Sequence, residues 1–524
     1  MLIYDTESGR KEPFEPASLP VKMYVCGLTP KNEPHLGHGF LFVVNDMVRR
    51  YLEYRGYPVR YIQNFTDVDD KIIAAGHRDG IPAAEAAQRY TAAYFRDMDA
   101  LNVRHADEFT YVTRYIPQII AVVEGLIEKG HAYPLDGDVY FSVPSFPAYG
   151  RLSGRDEEAM RAGERIKADE RKRDPRDFAL WKAAKPGEPS WESPWGAGRP
   201  GWHIECSTMV MKSLGEQIDI HGGGSDLIFP HHENEIAQSE SYTGKSPFVR
   251  YWLHTGMLSL PDPSDAASPL PMGEGPGAGA ARKTLKMAHS GTFITIRAVL
   301  ETGQVPPPAL RLYLLSQHYH QNMTYSEEQL LATVKRWRRW VEARANLIRL
   351  IAWAEANPAP AAKSRVKSAG QPDAEAKTSQ NDAHALEREV ETARAAFIAA
   401  MDDDFNTSAA LAVIDGLVTR LNEYAATVGG SRASAAQLIG LRAGLAGLEE
   451  LAGVLGVALE APDASGGLDP AKHAEIEALI AAREAARKAK DWAEADRIRN
   501  DLDSRLGVTI KDTAQGATWT LKES

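Results

Sequence analysis

The sequence predicts an α/β protein: an open parallel sheet, interrupted by an inserted module, then a helical bundle and a small final unit. Three observations predict it. A strand, a loop and a helix run over residues 23–46 and lead into a second strand at 59–64, the spacing of a βαβ unit. A strand, a glycine loop and a helix recur from Ile218 to Glu235. Beyond Tyr325 the apolar positions keep a helical period.

The first unit opens with Met23-Tyr24-Val25-Cys26, turns at Pro30 and Pro34, and enters Leu36-Gly37-His38 ahead of the apolar run Phe40-Leu41-Phe42-Val43-Val44, which reads as a buried helix. The strand at 59–64 runs into Thr66-Asp67-Val68-Asp69-Asp70, so polar residues gather at strand carboxyl ends, where open α/β sheets bind ligands. These elements form the first half of the sheet domain, 1–118. Residues 119–199 read as a charged helix and hairpin insertion, closing near the Trp- and Pro-rich stretch 191–200. The sheet is expected to resume over 200–258, with Ile218-Asp219-Ile220 as a strand, His221-Gly222-Gly223-Gly224-Ser225-Asp226 as its loop, and a helix carrying His231, His232, Glu233, Asn234 and Glu235. Residues 261–281, within a loop region at 259–325, turn to Pro, Gly, Ala and Ser, too little apolar surface to stay ordered, and are expected to be a mobile insertion. Polar breaks near 357–382 and 462–467 divide the rest into a bundle, 326–460, and a terminal unit, 461–524.

A chain of 524 residues has room for three or four domains. Its 44% hydrophobic and 25% charged content excludes disordered and fibrous classes. Apolar runs are short and broken by charge, and the start, MLIYDTESGR, lacks the basic and apolar stretches of a signal peptide, so a cytoplasmic protein without membrane contact is expected. A net charge of -11 speaks against non-specific coating of nucleic acid but leaves a local basic face open. Two cysteines cannot build a disulfide framework, and in a reducing compartment Cys26 and Cys206 remain thiols available to a metal or to catalysis.

His35-Leu36-Gly37-His38, between a strand and a helix, offers amides and two imidazoles to an anion at a helix amino terminus. Alone, the pattern fits a capping turn with surface histidines better. His231 and Glu235, four apart on a predicted helix, project from one face, and two thiols would complete a set of zinc ligands. Taken singly, a buried cysteine reads as a small hydrophobe and a lone histidine as structural.

In context, four segments resemble cysteinyl-tRNA synthetases in the same order: residues 23–38 with their HIGH-like signature, Asn64-Phe65-Thr66-Asp67-Val68-Asp69-Asp70-Lys71-Ile72, Gly201-Trp202-His203-Ile204-Glu205-Cys206-Ser207, and DIHGGGSDLIFPHHENEIAQ at 219–238. The resemblance covers nearly the whole chain. It implies a Rossmann-like class I synthetase catalytic domain with an inserted connective domain, followed by an α-helical bundle and a small anticodon-binding unit. The implied activity is a ligase reaction: cysteine is activated with ATP and Mg2+ to cysteinyl-adenylate and passed to the 3′ end of tRNA(Cys), by a monomer. The resemblance further implies one Zn2+ held by Cys26, Cys206, His231 and Glu235, with His232 a neighbour, and a cysteine pocket at Gly27, Thr66 and Trp202. ATP would be held by His35, Gly37 and His38, with Asp226 at the ribose. Such an enzyme needs zinc because serine is nearly isosteric with cysteine and shape discriminates poorly, whereas the metal prefers a thiolate.

The chain departs from the family at two places. Where class I synthetases carry KMSKS, with lysines that stabilise the transition-state pyrophosphate, this chain has Lys286-Met287-Ala288-His289-Ser290. An imidazole supplies less charge than an ammonium, so activation is expected to be slower or more pH-sensitive, with Arg282 and Lys283 substituting in part. Thr29-Pro30-Lys31-Asn32-Glu33 replaces the more usual Thr-Val-Tyr-Asp, and contacts made there in relatives cannot be carried over.

Met401-Asp402-Asp403-Asp404-Phe405-Asn406-Thr407 resembles the family's anticodon-side bundle, and Trp519, near the carboxyl terminus, is the residue expected to stack on an anticodon base. The charged stretch 481–506 around Trp492 reads equally well as a solvated helix. Two rival readings remain at this level. One is the related ligase that joins cysteine to the amino sugar of a mycothiol precursor, which lacks an anticodon domain; the other is a non-catalytic tRNA-binding paralogue.

Overall fold

A computed structural model of the chain describes residues 1–155, 171–261, 284–286, 293–358, 374–428, 432–460, 470–513 and 516–521. It has two compact units: Met1–Thr333, Ile398–Ala410 and Val454–Val457 form the first, and Val334–Phe397, Leu411–Gly453 and Ala458–Ser524 the second.

The first unit is organised by five strands, β1 (Val21–Leu28), β2 (Val59–Phe65), β3 (Glu108–Tyr111), β4 (Ile218–Gly224) and β5 (Val249–Thr255), in the spatial order β5-β4-β1-β2-β3. All neighbours are parallel. Near-continuous apolar strands such as Val-Lys-Met-Tyr-Val-Cys-Gly-Leu suit a sheet covered on both faces, and only Lys22 and Gly27 of β1 escape full burial. Helix α1 (Leu36–Tyr54) makes the crossover from β1 to β2. Strand order reverses between β1 and β4, which opens a crevice at their carboxyl ends. Cys26 and the glycines of β4 stand at that crevice.

Between β3 and β4 the chain builds a helix, Ile116–Glu128, and a four-stranded antiparallel sheet of Ala132–Leu135, Asp138–Phe141, Phe178–Ala183 and Gly198–Pro200. Ile119, Val123, Phe141 and Trp181 of this insertion share one apolar core with Ile204, Met209, Ile236 and Trp252. Each such side chain contributes roughly 1.5–3 kcal/mol by leaving water.

Two helices then carry the site, α2 (Trp202–Ser213) and α3 (Glu233–Thr243). The sequence Glu-Asn-Glu-Ile-Ala-Gln-Ser-Glu-Ser would suit a surface helix, yet every residue from Glu233 to Ser241 is buried. Three of its polar side chains are answered from the insertion. Glu233 accepts from the amides of Gly150 and Ser153, and Asn234 and Glu240 bond Tyr149 and Arg151. The expected single helix over 231–235 is modified: Ile228–His232 form one wide turn with Phe229 extended, and regular helix begins at Glu233. Pro230 supplies no amide for a regular first turn.

The segment resembling the anticodon-side bundle, residues 401–407, packs within the first unit. Tyr51 Oη donates to Asp402 at 2.6 Å, and Asp404 accepts from Tyr4 N at 2.8 Å and Tyr319 Oη at 2.7 Å. Asp404 and Phe405 both hold positive φ, 62° and 51°, a turn that ends one helix and redirects the next.

In the second unit, parts of the helices Glu327–Ala356, Ala374–Asp402, Thr407–Thr427 and Ala435–Val454 bury Trp337, Trp340, Leu347, Leu417, Leu421 and Leu448. Pro470–Lys488, Trp492–Arg505 and an antiparallel pair, Val508–Thr513 with Gly516–Leu521, enclose a smaller core of Ile476, Ile498, Leu502 and Val508. Among the described residues, no helix is long and apolar enough to cross a membrane.

Candidate metal centre and adjoining pocket

At the crevice, β1 delivers Cys26, α2 delivers Cys206, and the turn before α3 with its first residues delivers His231, His232 and Glu235. All five are buried. The donor atoms of Cys26, His231, His232 and Glu235 lie within 4.8 Å of one another. Cys206 Sγ lies 3.8 Å from Cys26 Sγ. Two thiolates on a tetrahedral zinc ion with ~2.3 Å bonds stand ~3.8 Å apart, and a thiolate and an oxygen ~3.6 Å. The observed distance from Cys26 Sγ to Glu235 Oε1 is 3.6 Å, and His231 Nε2 lies 3.1 Å from that same oxygen. His232 Nε2 is 3.3 Å from Cys26 Sγ but 3.9 Å from Glu235 Oε1, and its Nδ1 is 2.7 Å from His254 Nε2. The sequence reading made His232 a neighbour; the folded chain brings it into the cluster by distance.

The charges of the cluster also fit a metal. Burial opposes ionisation of Glu235, but the His221 and His231 imidazoles outweigh it and hold the carboxyl down at about 2. The bond with Cys26 leads in drawing the Cys206 thiol down to about 6, whereas burial pushes Cys26 well up. Burial lowers the His231 pKa, yet Glu235 and Cys206 raise it to about 10. A proton on His231 is thus the positive charge that two buried anions call for, and a bound cation would take that place.

Three histidines complete the surroundings: His203 and His221, which the sequence reading quoted but did not weigh, and His254, which it did not name. His221 Nε2 lies 3.0 Å from Glu235 Oε2, His203 Nδ1 lies 3.0 Å from His231 Nδ1, and His254 Nδ1 lies 2.8 Å from Thr6 Oγ1. They orient the donors from behind, an arrangement usual at metal sites. His221 and His254, alternating toward the crevice on β4 and β5, are legible only once strand register is known.

The expected cysteine pocket adjoins. The Trp202 indole stacks on His231, with ring centroids 4.4 Å apart. Gly27 N donates to Asn64 Oδ1 at 2.8 Å, and Asn64 Nδ2 donates to the buried Thr66 Oγ1 at 3.4 Å. A Cβ on Gly27 would lie 1.6 Å from Asn64 O, so only glycine fits there.

At the amino terminus of α1, His35 and His38 cap each other. His35 Nδ1 accepts from His38 N, His38 Nδ1 accepts from His35 N, and their rings stack 3.6 Å apart. Burial holds His35 down at about 4 and His38 well below the usual imidazole range. A Cβ on Gly37 would touch the His35 ring at 3.0 Å. Asp226 lies exposed in the turn after β4, and a side chain on Gly224 would meet its carboxylate at 2.5 Å. Leu36 N donates to Ile294 O, which ties the HIGH-like turn to the chain just beyond the KMSKS-like run. Backbone Lys286 pairs with Ser259; its side chain, Met287–Thr292 with His289, Arg282 and Lys283, and the insertion 261–281 beyond Pro261 lie outside the described residues. Trp519 pairs with Ile510 through its backbone, and its side chain also lies outside them.

Comparison with known proteins gives a consistent result. The family described as tRNA synthetases class I (C) catalytic domain matches residues 14–264, the DALR domain residues 396–460, and the Cysteinyl-tRNA ligase anticodon binding domain residues 469–519. The cysteine–tRNA ligase of Dehalococcoides mccartyi strain BAV1 is 44% identical over 525 residues, covering 100% of both chains. That of Heliobacterium modesticaldum is 46% identical, covering 99% of this chain and 98% of its own. Among solved structures, Mycobacterium tuberculosis methionyl-tRNA synthetase bound by methionyl-adenylate shares the fold at a TM-score of 0.56 and 15% identity, over 86% of this chain and 95% of that one. A putative arginyl-tRNA synthetase from Campylobacter jejuni does so at 0.55 and 13% identity, over 86% and 96%. The anticodon-binding match at 469–519 removes the support for an amino-sugar ligase.

Proposed function

This chain belongs to the cysteine–tRNA ligase family of class I synthetases, and from that premise we propose that Cys26, Cys206, His231 and Glu235 hold one zinc ion that selects its amino acid. The ligase joins cysteine to tRNA at the expense of ATP. The observation that supports the metal assignment is the convergence of two thiols, an imidazole and a carboxylate, all buried, with the sulfurs 3.8 Å apart and Cys26 Sγ 3.6 Å from Glu235 Oε1. His232 is the less suitable fourth donor, because it stands farther from Glu235 and is engaged by His254. When bound, zinc supplies a site for the substrate's thiolate and thereby favours cysteine over serine.

The protein's own groups do the rest. Trp202, Thr66 and Gly27 shape the pocket beside the thiol. His35 and His38, each accepting a backbone N–H at Nδ1, keep Nε2–H free to donate to phosphate oxygens. Gly37 lets the chain approach them, and Asp226 accepts from the ribose hydroxyls. Lys286 and His289 of the KMSKS-like run would supply donors to the pyrophosphate, and Mg2+ accompanies the ATP. Trp519 stacks on the anticodon. We assign 1–118 and 200–258 to the catalytic domain, 119–199 to the connective insertion, 259–325 to the KMSKS-like loop and stem-contact region, 326–460 to the bundle and 461–524 to the anticodon-binding unit of a cytoplasmic monomer.

The deciding measurement is exchange of pyrophosphate into ATP by the zinc-loaded protein. Cysteine, and not serine, is expected to support it, with one zinc per chain. Exchange with neither amino acid, zinc being bound, would overturn the catalytic reading and leave a tRNA-binding paralogue.

A further inference from the structure

We propose that Lys31 is a catalytic residue of the activation step, its ammonium binding the triphosphate of ATP at the amino terminus of α1. The inference rests on the ligase reading above. In that step a carboxylate oxygen of cysteine attacks the α-phosphorus. A phosphorus–oxygen bond forms, the bond to the oxygen bridging α and β breaks, and its electron pair leaves on pyrophosphate. No proton moves, so catalysis depends on alignment and on cations that meet the charge gathering on the leaving group.

The two histidines cannot supply that charge. Both are buried and stacked 3.6 Å apart, where two imidazolium rings would repel. They offer hydrogen bonds without charge. The first turn of α1 holds no acidic residue either, so the helix end is open to an anion that nothing yet neutralises.

Lys31 lies four residues before His35, in the loop joining β1 to α1, and is only partly exposed. Its ammonium is close enough to both rings to depress their basicity. Among the described residues its side chain has no hydrogen bond and no ion pair, although the Asp69 carboxylate is near enough to raise its basicity. Its backbone, in contrast, is fixed: Arg78 donates to Lys31 O at 3.0 Å and to Asn32 Oδ1 at 2.7 Å, and is itself held by Tyr90 Oη at 3.0 Å. A lysine on an anchored loop with an unused ammonium facing a helix amino terminus is arranged for an anionic ligand, whereas a solvated surface lysine needs no such anchoring.

Placement along the crevice agrees. The Lys71 ammonium sits 5.3 Å from the centre of the Trp202 ring, which stacks on His231. Burial and then the nearby Lys71 charge lower the Lys31 pKa, so the two cations are neighbours. Trp202 thus links the donor cluster to Lys71, and Lys31 is near enough to feel Lys71 and the histidine pair. An amino acid held by its thiol at one end presents its carboxylate toward phosphates held at the other, and Lys31 stands at that junction.

Pyrophosphate exchange by K31M, K31R and wild type, with zinc content and melting temperature measured on each, tests this. K31M is expected to lose about 100-fold in kcat, with KM for cysteine, zinc content and melting temperature unchanged, and K31R to recover most of the rate. K31M exchanging at the wild-type rate would overturn the proposal, as would a loss accompanied by missing zinc or a raised KM for cysteine, the marks of a structural role. Absence of cysteine-dependent exchange in the wild type would instead sink the ligase reading itself.

Discussion

Replacing His221 by Phe isolates what the residues behind the donor cluster contribute. His221 Nε2 lies 3.0 Å from Glu235 Oε2, and both side chains are fully buried. Its ring also stacks on Trp252, with centroids 4.8 Å apart. Phenylalanine keeps the stacking and removes only the hydrogen bond. Glu235 Oε1 already faces Cys26 and His231, so Oε2 would be left without this partner in a dry site. A buried acceptor deprived of its partner costs about 1–3 kcal/mol. Because Glu235 must be ionised to bind a metal, that cost falls on the metal-bound state and corresponds to roughly a 10- to 100-fold loss of zinc affinity. Competition against a chromogenic chelator of known affinity reads it directly, with C206S as the variant that loses a ligand outright. H221F binding zinc as tightly as wild type, while C206S fails to, would show that Glu235 is not oriented through His221 and would refute the reasoning.

Two further changes test the scaffold and the KMSKS-like run. Arg311 is fully buried, donating to Asp46, Leu101 O, Asn102 O and Leu455 O, so R311M deprives Asp46 of one of its two hydrogen-bonded guanidinium partners and three carbonyls of a donor, and is expected to cost about 3 kcal/mol, read as a lower melting temperature. Burial raises the Asp46 pKa but Arg311 and Arg50 outweigh it, so the folded pKa lies below the unfolded ~3.9; this stabilisation is present above about pH 4 and lost as pH falls through the folded value. R311M should therefore unfold at a higher pH than wild type on acid titration, and an identical acid transition would count against the pairing. H289K is expected to raise the exchange rate and to flatten its fall as pH rises through the imidazole range near ~6.5; an unchanged rate would mean that position does not limit activation.

The fold class was legible because its signals are local. The apolar run of β1, the βαβ spacing and the glycine loop after β4 are set by period and turn chemistry, which neighbours in sequence suffice to reveal. The four donors could be named because the chain holds only two cysteines and because the runs around them match a family. Other features were not legible. Glu233–Ser241 reads as a surface helix, and its burial follows from partners some eighty residues earlier, Gly150, Arg151 and Ser153. Residues 401–407 lie between two bundle helices in sequence, yet Asp402 and Asp404 are bonded to Tyr51, Tyr4 and Tyr319.

The sequence by itself determined the order of elements, the parallel sheet and the residue types available for chemistry, because propensity and periodicity act over a few residues. Only the tertiary structure decided which of fifteen histidines meet the donor cluster. That is a matter of strand register and burial, in which a one-residue slip turns a side chain to the other face of the sheet, and no local signal carries that choice.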